Sequence, residues 1–199
     1  RRQRQMCIRD RHIIIVDNAS PDGTGSMLKS RYRGDREVTV LLNRENSGFA
    51  RGNNFGVHYG KCKLSPEFTV VLNNDVEILT PDWMEEMLQI CQQKEVSIVG
   101  AKLYYPDDTI QHAGVVMGLG GIAGHIMCRA SREDEGYFGR MISVQEISAV
   151  TAACMMMKTE DFRKVEGFDE TFRVAFNDID LCMKVRALGK KVVFTPYAE

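Results

Sequence analysis

The run Phe68-Thr-Val-Val-Leu-Asn-Asn-Asp-Val-Glu77 constrains the chain more than any other stretch. Five aromatic, β-branched and aliphatic residues end abruptly in two amides and a carboxylate. This is the pattern of a buried strand that delivers polar groups to the carboxyl edge of a parallel sheet, the edge at which open α/β folds bind ligands. Asn73, Asn74 and Asp75 would bring hard oxygen donors together at the strand tip. Such a set suits Mg²⁺ or Mn²⁺ rather than zinc, which prefers thiolates and imidazoles. The same residues favour turns whatever they bind, so the run alone leaves a plain turn open.

With 199 residues and 44% hydrophobic content, the chain can bury a proper core and is most simply one domain. Lys and Arg total 26 against 27 for Asp and Glu, a formal net charge of -1, so no basic field argues for nucleic acid as a partner. No apolar run approaches the roughly 18 residues of a membrane span, and no signal-peptide pattern appears. The expectation is a soluble, cytoplasmic protein. Cys7, Cys62, Cys91, Cys128, Cys154 and Cys182 are scattered without a CxxC pair. That fits reduced thiols, mostly small core residues, better than disulfides or zinc.

Arg1 to Arg11 is basic and unpatterned, and is expected to be a disordered or non-native leader, with the folded domain over 12–199. Ile13 to Val16 reads as a strand, followed by the turn formers Asp17-Asn-Ala-Ser-Pro-Asp-Gly23 and a helix from Thr24 to about Arg33. Val38 to Leu42 is a second strand, ending in Asn43-Arg-Glu-Asn-Ser-Gly48 before another helix opens at Phe49. Phe68 to Leu72 is the third strand. Pro81 suits the first turn of a helix running to about Gln92, with Trp83, Met84, Met87, Leu88 and Cys91 repeating at three and four. This places Trp83 in the core. Strands alternating with helices predict βαβ units and a mainly parallel central sheet flanked by helices.

Beyond the strand region Val96 to Leu103 the texture changes. Glycines crowd Gln111 to His125 and charges crowd Arg129 to Arg140, which predicts a mobile surface excursion able to fold over a ligand. His112 and His125 flank the glycines; either would reach an acceptor or a phosphate, or serve as a hydrogen-bonded structural histidine. Ile147 to Met157 is apolar again, and Thr159 caps a short helix to Val165. Asn177 is the expected N-cap of a helix over Asp178 to Leu188, and Val192 to Phe194 a last strand.

Four motifs now stand in order: Val16-Asp-Asn-Ala-Ser-Pro-Asp-Gly-Thr24, Asn46-Ser-Gly-Phe-Ala-Arg-Gly-Asn-Asn54, Leu72-Asn-Asn-Asp75 and Asn177-Asp-Ile-Asp-Leu181. Together they resemble the family 2 glycosyltransferases, particularly the rhamnosyltransferase-like bacterial enzymes of surface-polysaccharide synthesis, from about Ile13 onward. The resemblance implies a Rossmann-like α/β GT-A fold, a UDP, dTDP or GDP sugar donor, a divalent metal (Mg²⁺ or Mn²⁺) and inversion at the anomeric carbon. It implies a saccharide or lipid-linked acceptor, with work at the inner face of the plasma membrane and peripheral membrane association. Asp17 matches the aspartate that binds the base. Asn46, Gly48 and Arg51 match the donor-binding loop and helix start, and Asn74 joins that nucleotide-sugar set. Asp75 matches the metal-binding aspartate, Asp178 the catalytic base, and Thr151 lies in the segment beside the acceptor. Two departures stand out: Asn73 replaces the first aspartate of the metal motif, and the family's first strand is missing. Nothing follows Glu199 where a further histidine would help the metal, so the expected GT-A domain is incomplete.

Inverting transfer needs a base for the acceptor hydroxyl and stabilisation of charge growing on the leaving diphosphate. Asp178 suits the first and a metal on Asp75 the second, while Asp180 reads as a structural cap of the same helix. Two alternatives remain, a non-catalytic nucleotide-sugar-binding module and a sugar nucleotidyltransferase. The second would need a glycine-rich, basic phosphate loop after its first strand. A Rossmann dehydrogenase is disfavoured because GxGxxG does not follow a strand; Gly118-Leu-Gly-Gly121 lacks the spacing.

Overall fold

A computed structural model of the chain describes residues 11–172 and 174–199. Apart from Arg11, the expected leader lies outside the described residues, as does Cys7. The fold divides into two compact units, with the division between Ser65 and Pro66.

The first unit is a βαβα arrangement. Strand β1 (Ile13–Asp17) pairs in parallel with β2 (Val38–Leu42), from Ile13 opposite Val38 to Asp17 opposite Leu42. Helix α1 (Thr24–Arg31) connects them, and α2 (Gly48–Leu64) follows β2. Helix α2 buries Ala50 together with a glycine stripe at Gly52, Gly56 and Gly60. A Cβ on Gly56 would stand 3.0 Å from Val16 Cγ2, and one on Gly60 2.9 Å from Ile14 Cδ1. The missing side chains are what let the helix lie this close to β1.

The second unit holds a five-stranded sheet in the order β3-β10-β4-β11-β9. Its strands are β3 (Phe68–Leu72), β4 (Val96–Gly100), β9 (Gln145–Glu146), β10 (Cys154–Lys158) and β11 (Lys191–Phe194). Strands β3, β4 and β11 share one direction; β10, wedged between β3 and β4, runs against both, and β9 runs against β11. The sheet is therefore mixed, with the direction expected from the βαβ pattern carried by three strands. Because β10 is central and covered on both faces, Met155, Met156 and Met157 are all buried in succession. Helices α3 (Trp83–Cys91), α4 (Thr159–Lys164) and α5 (Asn177–Ala187) complete the unit. Met87 and Cys91 of α3 join Val96, Val99, Cys154 and Met156 in the core, and Trp83 packs against the same cluster, in the core role its spacing predicts.

Three local expectations give way. The stretch Gln111 to His125 is an ordered pair of turns rather than a mobile excursion. Strand β5 (Leu103–Tyr104) pairs with β6 (Ile110–His112), and β7 (Val115–Met117) forms a hairpin with β8 (Ala123–His125). Ile110, His112, Ala113 and Val115 are buried. Gly114 at φ 101° supplies a backbone shape that other residues rarely adopt, and it lies against Ile147 with no room for a Cβ. The following charged stretch is also tied down: Arg129 N–H donates to Ile110 O at 2.8 Å, and its guanidinium stacks 3.7 Å from the Tyr105 ring centre. The two helix caps also differ from expectation. Thr159 spends its hydroxyl on Thr69 Oγ1 at 2.8 Å. Asn177 lies inside α5, where its amide donates to Phe172 O at 2.7 Å, and Phe176 is the left-handed residue before it at φ 69°.

Candidate active site

In the first unit, the tip of β1 and the loop after β2 are organised by one amide. Asn18 Nδ2 donates to Asn46 Oδ1 (2.9 Å) and to Gly48 O (3.1 Å). Its Oδ1 accepts from Asn43 Nδ2 (2.8 Å), Ser47 N–H (3.1 Å) and Ser47 Oγ (3.0 Å). Asn46 Oδ1 also accepts the Gly48 N–H at 3.0 Å, so the loop closes onto the first turn of α2. Asp17 is buried beside this cluster, and its backbone O accepts from Asn43 N–H at 2.9 Å. The backbone of α1 comes so near that a Cβ on Gly25 would stand 2.6 Å from Asp17 Oδ2. Arg51 is exposed on α2. The structure thus brings Asp17, Asn46 and Gly48 around Asn18, a residue that sequence reasoning passed over. The signal available for it was an amide directly after the strand-end aspartate.

In the second unit, the segment Thr151-Ala152-Ala153 is the hub. Each of its three N–H groups is captured by a side chain: Thr151 N–H by His112 Nε2 (3.4 Å), Ala152 N–H by Asp178 Oδ2 (3.2 Å) and Ala153 N–H by Thr151 Oγ1 (3.4 Å). The Ala153 carbonyl accepts from Asn73 N–H at 2.9 Å, extending the β3–β10 ladder past Leu72. The strand tip that begins at Asn73 and the first turn of α5 therefore attach to adjacent residues of one segment. Asp178 is half-buried, with Oδ1 taking the Ile179 N–H at 2.9 Å as well. These two backbone donors fix its orientation. Asn74 and Asp75 are exposed on the turn beyond the tip. Asp180, one helical step further, instead pairs with Lys184 Nζ at 2.7 Å, a partner four residues on along the same helix.

His112 and His125 face each other, Nδ1 to Nδ1 at 2.9 Å, with rings nearly perpendicular. His112 is fully buried, and burial together with its partner pushes its pKa down to about 3. Burial also lowers that of His125, opposed by the negative charge of Asp178. Sequence reasoning treated the two histidines as separate flanks of a loop, because their pairing depends on the β6 and β7–β8 turns. A polar groove of about 520 Å³ lined by Asp107, Asp108, Thr109, Ser131, Arg132 and Glu133 shares no residue with this cluster.

The chemistry of the Asn73–Asp75 tip fits a divalent metal. Asp75 with the amides of Asn73 and Asn74 offers hard oxygens, and Mg²⁺ or Mn²⁺ commonly takes one or two carboxylates plus substrate phosphates and water. Among the described residues no cluster of three His, Cys, Asp or Glu side chains forms a cage complete without substrate. Of the cysteines, Cys91, Cys154 and Cys182 are buried and free, with thiols pushed up to about 12 by burial, and Cys62 and Cys128 are exposed and free. No helix among the described residues is long and apolar enough to cross a membrane.

Residues 2–165, which reach from the first unit through most of the second, match Glycosyl transferase family 2, and the chain belongs to that family. It is 46% identical over 189 residues to the uncharacterized protein y4gI of Sinorhizobium fredii, covering 94% of this chain and 20% of that protein. It is 39% identical over 134 residues to the O-antigen biosynthesis protein RfbC of Myxococcus xanthus, covering 67% of this chain and 10% of that protein. The chain thus spans a fifth or less of the length of these two relatives. Among solved structures it is similar to GalNAc-T7 bound to UDP, GalNAc and Mn²⁺, with a TM-score of 0.73 at 13% identity, covering 94% of this chain and 36% of that one. At that identity the likeness establishes the fold, which is GT-A, as the four motifs implied.

Proposed function

We propose that this chain carries out inverting sugar transfer from a nucleoside-diphosphate sugar to a saccharide or lipid-linked acceptor hydroxyl, and that residues 12–199 belong to one GT-A domain. The observation that carries this reading is the attachment of Asp178 and the Asn73–Asp75 tip to consecutive residues of one segment, Ala152 and Ala153. That brings a half-buried carboxylate and a set of hard oxygen donors to the same edge of the sheet, the place where such folds bind ligands.

In this reaction the acceptor oxygen attacks the anomeric carbon from the face opposite the donor phosphate. The new C–O bond forms as the bond to the β-phosphate oxygen breaks, and that oxygen leaves with the electron pair. Asp178 accepts the hydroxyl proton, a role open to a carboxylate within hydrogen-bond reach. Asp75, with Asn73 and Asn74, is the candidate holder of a divalent cation that would offset charge on the leaving diphosphate. Asp17, Asn46, Gly48 and Arg51 are the candidate nucleotide-sugar-binding residues of the first unit, and Asn74 is that of the second. Thr151 is the candidate acceptor contact, its backbone pinned between His112 and Asp178. RfbC is an O-antigen biosynthesis protein; the corresponding proposal here is synthesis of a cell-envelope polysaccharide, in the cytoplasm at the inner membrane face.

The test is nucleotide release from a panel of UDP, dTDP and GDP sugars, with and without Mn²⁺. Turnover that needs the cation and is lost in Asp178→Asn is expected. Binding of a nucleotide without turnover of any donor would instead make the chain a sugar-nucleotide-binding module. Calorimetry of Asp75→Ala is expected to show donor binding that no longer responds to Mn²⁺.

A further inference from the structure

The histidine pair has a protonation pattern that its partners dictate. The Thr151 backbone N–H can only donate, so the His112 Nε2 that receives it at 3.4 Å is bare. His112 is fully buried and neutral, so its one proton sits on Nδ1. Nδ1 faces His125 Nδ1 at 2.9 Å, so His112 donates and His125 accepts. A neutral His125 must then carry its proton on Nε2, on the side of the ring turned away from the buried partner. His125 itself is exposed.

This arrangement resists a positive charge. Protonating His125 would place a second hydrogen between the two Nδ1 atoms. His112 could make room only by moving its proton to Nε2 and abandoning the Thr151 N–H, which would leave a part-buried donor without its partner. The groups that bear on His125 are His112 from β6 and Asp178 from α5; burial opposes the cation and Asp178 favours it, with burial the larger. The His112 Nδ1–H at 2.9 Å adds a steric bar to a second proton there.

We propose that His125 selects the acceptor at the Asp178 site: held by His112 as a neutral imidazole, it presents an Nε2–H donor that fits an uncharged saccharide hydroxyl and not a phosphate. A phosphate would face the like charge of the Asp178 carboxylate. A hydroxyl can accept from Nε2–H while giving its own proton to the carboxylate. His125 thus orients the nucleophile, and the proton goes to Asp178. The inference rests on the reading of Asp178 as the base.

Long-range ¹H–¹⁵N spectra of the imidazoles in the full chain give a readout that does not depend on turnover. Expected are an Nδ1–H tautomer for His112 and an Nε2–H tautomer for His125 at pH 7. In the same spectra a neutral methyl glycoside is expected to shift the His125 Nε2 resonance and the matching sugar 6-phosphate to leave it. A protonated Nδ1 on His125, a cationic ring at pH 7, or a shift with the phosphate alone or with neither sugar would overturn the proposal. In kinetics, His125→Ala is expected to raise the KM for the best methyl glycoside about tenfold with the donor KM within about twofold. His125→Gln, whose amide N–H reaches about as far as Nε2, should recover most of that loss; an unchanged acceptor KM in His125→Ala counts against the proposal. Normal turnover in Asp178→Asn would remove the base from the mechanism while the tautomers still report on the pair, so the two failures are separable.

Discussion

The two polar hubs are built from different chemistry. The hydrogen bonds of Asn18 run to amides, a hydroxyl and backbone, none of them titratable. Around Thr151–Ala153 the partners are a carboxylate, a hydroxyl and an imidazole that is itself paired with a second imidazole. The first hub can hold its loop in one shape at any pH at which the protein folds. The second has groups whose proton count matters, fixed by backbone N–H donors that do not titrate. A rigid neutral cradle suits recognition, and oriented ionisable groups suit proton transfer.

The largest effect that would sharpen this contrast is at Asp178. Asp178→Asn keeps one of the two oxygens that take backbone N–H groups but loses the base. Transfer should fall by on the order of 10²–10⁴-fold, with donor affinity, measured by calorimetry, within about threefold. Near-normal turnover would erase the difference between the hubs. Next is Asn18→Ala, which removes a donor and an acceptor shared among Asn43, Asn46, Ser47 and Gly48. We expect a loss of about 1–3 kcal/mol in urea unfolding and weaker donor binding, with the acceptor KM unaffected.

The pH response divides the hubs a third way. His112 titrates at about 3 when folded against an ordinary value of 6.5. Between those values the unfolded chain binds a proton that the folded chain does not. Stability from this group is therefore complete above pH 6.5 and is lost as pH falls toward 3, at up to about 1.4 kcal/mol per pH unit. Hydrogen exchange, corrected for intrinsic rates, should show Thr151 N–H losing protection between pH 7 and 5 while Ser47 N–H keeps it. Equal responses would break the contrast. The smallest effect is at Asp180, whose partner is one lysine on the same helix. Asp180→Ala should cost less than about 0.5 kcal/mol and leave turnover within about twofold, setting it apart from Asp178 two positions earlier.

Much of the frame was legible in the chain. The alternation of apolar runs with turn formers located β1, β2 and β3 to within a residue, because each strand end is marked by Asp or Asn. The family and the GT-A fold followed from four motifs in order. The Asn18 hub and the histidine pair were not legible, since both join residues far apart in sequence through loops whose shape depends on their surroundings. The glycine-rich stretch misled for a related reason. Composition reads its glycines as slack, whereas here they make the tight turns that bury Ile110 and His112. The caps failed because tertiary partners, Thr69 for Thr159 and Phe172 for Asn177, outcompeted the local helix end.

The reversed strand in the middle of the second sheet has a bearing on how the molecule is made. Cys154 pairs with Leu72 and Lys158 with Phe68, partners separated by about eighty to ninety positions. As the chain emerges from the ribosome, β3 and β4 appear early with the edges they will offer to β10 still bare. Closing so long a loop is slow, and bare edges invite mispairing in the meantime. Synthesis must reach residue 158 before the sheet can zip, which makes that interval the one in which a nascent chain most needs a chaperone.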